Sequence, residues 1–293
     1  MPVELLCDAR AALGEGPAWD AAAGVLHWVD IPAGRLHRFD PASGEDEYLE
    51  LGEPIGCAAP ARAGGLVAAL RSGFYHLHPP ETGRTLLARP PHVRGTRFND
   101  GKCDPAGRFL AGTMDEAEQA ANGCLYACEP GEGSLRLLLA GLRISNGLTW
   151  SPDYKTFYFI DTPTRLVCAY EYDLSSGAIA NPRPVVRIPP GMGYPDGMTS
   201  DMDGGLWIAL WGGGRVTRWD AHTGELTAEY ALPASQVTSC IFGGEDLGDL
   251  YITTARRGLD AAERTRQPLA GGLFRLRTGL SGMPTFEFAG AME

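Results

Sequence analysis

The sequence predicts an all-β fold, a six-bladed β-propeller with four antiparallel strands per blade, and three observations predict it. A turn followed by an apolar strand, with Gly between them in five of the copies, recurs six times. A second pattern, a strand running into a turn, follows each copy. Gly (39) and Pro (22) supply about a fifth of the 293 residues, against about 12 % in an average protein, the composition of a chain with many tight turns. Taking Leu26, Leu66, Phe109, Phe157, Leu206 and Leu250 as equivalent gives spacings of 40, 43, 48, 49 and 44 residues. Units of that length with four short strands each are the arithmetic of a propeller. A sandwich has no reason to repeat one motif six times.

In chain order, residues 3–10 (VELLCDAR) read as a strand ahead of the first inner strand. The last repeat runs out near Gly290, so this N-terminal strand is expected to complete the final blade and close the ring, leaving no open sheet edge. The first unit is DAAAGVLHWVD (20–30) with GRLHRFDPASGE (34–45); the second is ARAGGLVAAL (61–70) with GFYHLHPPETGR (73–84). The third pairs DPAGRFLAGTM (104–114) with GCLYACEPGEGS (123–134), and the fourth SPDYKTFYFID (151–161) with RLVCAYEYDLSSG (165–177). DMDGGLWIAL (201–210) with GRVTRWDAHTGE (214–225), then GEDLGDLYITT (244–254) with GGLFRLRTGLSG (271–282), complete the set. Together the units occupy 1–293 as one expected domain. Helical periodicity is absent over any useful length; EAEQAA (116–121) and AERTRQ (262–267) are single turns at most. Gly212-Gly213-Gly214 reads as a hairpin turn, because no helix follows to make a phosphate cradle.

Lys plus Arg total 25 and Asp plus Glu 36, a net charge of −11. Nucleic acid is not an expected partner, since a phosphate backbone calls for clustered basic residues. The seven Cys fall at irregular spacings without paired Cys-x-x-Cys motifs, which argues against structural zinc. Cys124 and Cys128 lie four apart in a predicted strand and are expected on one core face. The N-terminus carries Glu4 and Asp8 without a long apolar run, unlike a secretory signal. No stretch nears the ~18 apolar residues of a membrane span. The expected setting is cytoplasmic, with no membrane partner. The oligomeric state is left open, a monomer being compatible with the sequence. Six His stand at 27, 37, 76, 78, 92 and 222; His76 and His78 read as two solvent-facing polar residues rather than a metal pair. No Gly-x-Ser-x-Gly nucleophile motif occurs.

In a propeller the inner strands all begin near one end of the central channel. The corresponding positions here read Leu-Gly-Glu15-Gly, Pro-Ile-Gly56-Cys, Arg97-Phe-Asn99-Asp100-Gly, Ile-Ser-Asn146-Gly, Tyr-Pro-Asp196-Gly and Val-Thr-Ser239-Cys. Four of the six place an acid or amide directly before Gly, 11, 9, 11 and 10 residues ahead of the reference strand position for Glu15, Asp100, Asn146 and Asp196. Matching register aims these side chains at one point on the axis. Two carboxylates and an amide carbonyl, without His or Cys, suit a hard divalent cation such as Ca²⁺, Mg²⁺ or Mn²⁺. Asp-Gly and Asn-Gly are also ordinary turn dipeptides, so any single instance reads more readily as a turn, and the functional reading gains only because four occur at matching repeat positions. Tyr194, Met192 and Trp211 fall near the channel mouth.

These residues resemble the senescence-marker-protein, gluconolactonase and luciferin-regenerating-enzyme family of regucalcin-like sugar lactonases. The resemblance runs from LGEGPAW (13–19) to QPLAGGLF (267–274) and is carried by RFNDGKCDPAGRFLAGTM (97–114), ISNGLTWSPD (144–153), YPDGMTSDMDGGLWIA (194–209) and CIFGGEDL (240–247). It implies a six-bladed propeller with one catalytic divalent cation (Ca, Zn, Mn, Mg or Fe). It further implies hydrolysis of a sugar lactone to the aldonic acid. By motif, the family's metal ligands fall on Glu15, Asn146 and Asp196, with Asp196 also the catalytic acid/base. Arg97 and Asn99 match its substrate-contacting residues. A glutamate beyond Gly-Thr-Met does not transfer cleanly: a gap-free match lands on Ala117, between Glu116 and Glu118, and Glu116 is taken as the substrate contact. In the mechanism this implies, the metal polarises the lactone carbonyl and water attacks it. Two rival functions stay open: a calcium-binding regulatory protein without important turnover, and a metal-dependent hydrolase of other esters.

Overall fold

A computed structural model describes residues 3–81, 83–91, 95–131 and 134–290; His92 lies outside them. Six four-stranded antiparallel sheets follow one another around a ring. Their inner strands are Gly14–Asp20, Ile55–Pro60, Thr96–Cys103, Ser145–Trp150, Tyr194–Ser200 and Val237–Gly243, in blades 1 to 6. Each pairs with the apolar strand that carries the sequence repeat, such as Val25–Asp30 in blade 1 and Gly205–Trp211 in blade 5. In blade 6, Glu4–Cys7 pairs antiparallel to Leu273–Arg277 on the outer edge, so the N-terminal strand closes the ring as expected.

The ring is held at its seams. Six large apolar clusters lie one between each pair of neighbouring blades. Phe74 and Phe109 meet edge-to-face across the blade 2–3 seam, and Trp19 stacks on Tyr251 where blade 1 meets blade 6. The second strand of each blade, such as Val25–Asp30 and Leu66–Leu70, is buried on both faces, and this is why the repeat reads as apolar runs rather than alternations. Cys124 and Cys128 pack in the blade 2–3 cluster as free thiols.

Three details differ from the sequence reading. All of AERTRQ but Gln267 lies in a six-residue helix, α1 (Ala261–Arg266), started by a capping box in which Asp260 and Glu263 bond each other's backbone N–H. His76 is buried rather than solvent-facing, its Nε2 2.8 Å from the Gly64 carbonyl oxygen. The segment 281–290, taken only as the end of the last repeat, crosses the ring at the end opposite the inner-strand starts. It bonds to Ser200 in blade 5, Trp19 in blade 1, Pro60 in blade 2 and Gly107 in blade 3. Residues 212–214 form the expected turn, and no helix among the described residues is long and apolar enough to cross a membrane.

Candidate functional site

Every inner strand breaks register with its neighbour within its first residues. In blades 3, 4 and 5 two residues bulge between paired positions: Asn99-Asp100, Asn146-Gly147 and Asp196-Gly197. In blade 1 the bulge is Gly16-Pro17, directly after Glu15. A bulge leaves its extra residue out of the ladder and re-aims its side chain. Here the bulges turn side chains toward the axis.

The register also refines the sequence match. The blade 3 counterpart of Asn146 and Asp196 is Asn99, and Asp100 sits one place further along with Gly147 and Gly197 as its counterparts. Those glycines are required by proximity to the next blade. A Cβ on Gly147 would lie 2.6 Å from the Asp196 carbonyl oxygen, and one on Gly197 2.1 Å from Ser239 Oγ. The acid-Gly and amide-Gly pairs are therefore sites of interblade contact as well as bulges.

Glu15, Arg97, Asn99, Asn146 and Asp196 line one cavity of about 450 Å³ at this end of the channel. Glu15 and Asn146 are 3 % exposed and Asp196 5 %. Asn146 Nδ2 donates to Asp196 Oδ1 and, at 3.0 Å, to Thr162 Oγ1. Thr162 Oγ1 donates in turn to the Pro195 carbonyl at 2.9 Å, fixing the amide orientation across the blade 4–5 seam. Asn146 Oδ1 is thereby left buried without a partner. Glu15 Oε2 accepts from the Gly16 N–H at 2.9 Å. Arg97 Nη1 donates to Asn99 Oδ1 at 2.7 Å and to the Phe98 carbonyl at 2.9 Å, while Asn99 Nδ2 donates to the Ser145 carbonyl at 3.0 Å. Asn99 thus orients Arg97 as well as facing the cavity.

The electrostatics are those of crowded, dry carboxylates. Burial and then the Asp100 carboxylate push Glu15 up to about 8. Burial and then Glu15 hold Asp196 far above the usual carboxylate range. Asp100 is raised by burial, opposed by Lys102, and its Oδ2 also lacks a partner. Lys102 reaches into the channel and donates to the Leu148 and Met198 carbonyls. Burial brings Arg97 down to about 10, helped by repulsion from Arg257. The nearby thiols of Cys57 and Cys240 are pushed upward by burial, Cys240 to about 12, so neither is a ready nucleophile.

The structure brings Glu15, Arg97, Asn99, Asn146 and Asp196 together but not Glu116. That carboxylate points away to Arg71, 2.8 Å from its Nη2, and does not line the cavity. Glu118 does, held by Arg257 at 2.8 Å from a left-handed backbone position, φ 59°. Tyr194 and Trp211 line the mouth, whereas Met192 packs against the blade 4–5 core. Sequence reasoning missed Arg143 and Arg257. Arg143 stands one strand-turn before Asn146, a place the repeat alignment could have flagged. Arg257 reaches in from the loop after blade 6, outside every aligned motif.

The fold is a six-bladed propeller with a cavity at the start of its inner strands, where carboxylate and amide side chains converge; a concavity of this kind is the ordinary setting for a small ligand. The chain belongs to the SMP-30/gluconolactonase/LRE-like family, whose model matches residues 13–256. It is 38 % identical to regucalcin of Oryctolagus cuniculus, over 98 % of each chain. It is 39 % identical over 99 % of each chain to a Bacillus subtilis (strain 168) protein named provisionally as the sugar lactone lactonase YvrE. Among solved structures it superposes on a luciferin-regenerating enzyme (TM-score 0.91, 29 % identity, 99 % of each chain). It also superposes on a calcium-binding protein, regucalcin, of Agrobacterium tumefaciens str. C58 (TM-score 0.93, 29 % identity, 98 % of this chain and 97 % of that one).

Proposed function

We propose that this chain is a metal-dependent lactonase that opens the ester ring of a sugar lactone to the aldonic acid. The observation that carries the reading is the cavity floor: Glu15, Asn146 and Asp196 converge there with Asn146 Oδ1 buried and unpartnered. The donor set fits a hard divalent cation: two carboxylates and an amide oxygen, no nitrogen or sulfur. No group of three or more His, Cys, Asp or Glu suited to a metal occurs among the described residues, which is consistent with a set that contains only two acids. A cation would also offset the burial and the neighbouring carboxylates, Asp100 for Glu15 and Glu15 for Asp196, that raise these two acids. Regucalcin relatives and the lactonase name of the Bacillus relative support the same reading.

When bound, the cation would supply Lewis-acid polarisation of the lactone carbonyl. The chain's own residues would do the rest. Asp196 takes a proton from the attacking water and returns it to the ring oxygen as the acyl C–O bond breaks. Arg97, buried and fixed by Asn99, presents its remaining N–H groups to substrate hydroxyls. Tyr194 and Trp211 wall the mouth and limit water.

The test is a hydrolysis assay on gluconolactone, xylonolactone, arabinolactone and galactonolactone, before and after chelation and with Ca²⁺, Mn²⁺, Zn²⁺, Mg²⁺ and Fe²⁺ restored singly. Turnover lost on chelation and regained with at least one cation supports the reading. Full turnover in metal-free protein contradicts it, as does failure to open any sugar lactone, neutral or anionic.

A further inference from the structure

The cavity has a second polarity that the floor does not explain. Beyond the buried Arg97, its rim carries two exposed guanidinium groups, Arg143 and Arg257, against one rim carboxylate, Glu118. Arg257 Nη2 pairs with Glu118 Oε1 at 2.8 Å. Arg143 forms no ion pair among the described residues; its Nη2 reaches only the Glu118 carbonyl oxygen at 3.4 Å. Arg97 bonds to uncharged oxygens only. The excess continues outward, because Arg257 also borders a cavity of about 550 Å³ lined by Arg256 and Arg264 and by no carboxylate. The cavity as a whole is balanced, with Glu15, Glu118 and Asp196 against the three Arg, but its two acids Glu15 and Asp196 lie at the floor, which leaves the outer part basic. A neutral polyol needs hydroxyl partners, which Arg97, Asn99 and the floor already offer. The Arg143 guanidinium, in no ion pair among the described residues, beside an Arg257 that shares only Glu118, matches a carboxylate or phosphate instead.

We propose that the preferred lactone carries an anionic group of its own, remote from the scissile ester, and that Arg143 and Arg257 hold it at the rim. This rests on the lactonase reading above. The ester end lies over the acidic, cation-seeking floor and the anionic end at the basic rim, within a cavity of ordinary small-ligand size. Arg143 and Arg257 are binding residues in this account and take no part in bond making.

The experiment compares kcat/KM on matched lactones: glucono-1,5-lactone against its 6-phosphate, and glucono-1,4-lactone against glucaro-1,4-lactone. The phosphate and carboxylate arms identify which anion is used. At least one anionic member is expected to exceed its neutral partner tenfold or more. That ratio should fall at least tenfold in Arg143→Ala, recover in part in Arg143→Lys, and shrink in 0.5 M salt. Neutral lactones turned over as well as anionic ones, or a ratio unchanged in Arg143→Ala, would overturn the proposal while leaving the lactonase reading in place. If no lactone is opened, the lactonase reading fails, and calorimetric binding of glucarate against gluconate decides the rim. Tenfold tighter, Arg143-dependent glucarate binding then upholds the anion site, and equal binding rejects it. Arg143 is exposed, so its variants are expected to melt near the wild-type temperature.

Discussion

The two ends of one strand treat a buried aspartate in opposite ways. Asp196 lies near the start of the blade 5 inner strand, and Asp201 just past its end, about 15 Å away. Asp201 is 0 % exposed, yet every oxygen is used. Its Oδ2 accepts from Trp207 Nε1 at 2.8 Å and Arg218 Nε at 2.7 Å, and its Oδ1 from the Gly205 N–H at 2.8 Å. Asp104 in blade 3 repeats the arrangement with Arg108 and Tyr172. Among the described residues Asp196 has only the Asn146 amide, and it faces Glu15, a like charge. Burial alone therefore does not mark a functional acid. The difference is whether the fold supplies the counter-charge or leaves it to a ligand.

Exchanging the charges should separate the two ends. Asp196→Asn is expected to lower turnover about 10³-fold and to abolish cation-induced stabilisation. The metal-free variant should melt no lower than wild type, because a repelled charge has been removed; kinetics and thermal melts with and without Ca²⁺ check both. Asp201→Asn should do the reverse, costing about 2–3 kcal/mol of stability through the stranded Arg218 while kcat/KM of the folded protein stays within about twofold.

Stability against pH sharpens the same contrast. The folded Glu15, at about 8, holds a proton that the unfolded chain releases near 4.5. Its contribution is thus fully present below 4.5 and is lost as pH rises through about 8. Metal-free protein should become less stable between pH 5 and pH 8, and saturating cation should flatten or reverse that slope, as denaturant melts across pH would record. A slope that cation leaves untouched would break the link between Glu15 and the ligand. The smallest effect is expected at the rim's edge. Glu116→Gln removes only a surface pair with Arg71, worth under about 1 kcal/mol, and should change KM less than Glu118→Gln does.

The ring was legible because each blade solves the same packing problem with the same turn and the same apolar strand. The floor was legible for the same reason: Asn146 and Asp196 occupy repeated bulge positions and Glu15 directly precedes the blade 1 bulge. Asp100 was matched one residue out of register, because spacing along the chain does not reveal which residue a bulge ejects. Glu116 and Glu118 could not be told apart, since the left-handed backbone at Glu118 decides which one faces the cavity. Arg257 and the strap at 281–290 act across blades, far from their sequence neighbours, and carry no local pattern. His76 looked exposed from strand alternation, but the turn at Gly64 covers it.

The most direct test of the account is calorimetric titration of metal-free protein with Ca²⁺ and Mn²⁺, wild type beside Asp196→Asn, Asn146→Ala and Asp201→Asn. The account predicts one divalent cation per chain for wild type and Asp201→Asn, with binding weakened at least 100-fold in Asp196→Asn and Asn146→Ala. Unchanged binding in the Asp196 and Asn146 variants, or no binding of either cation to wild type, would contradict it.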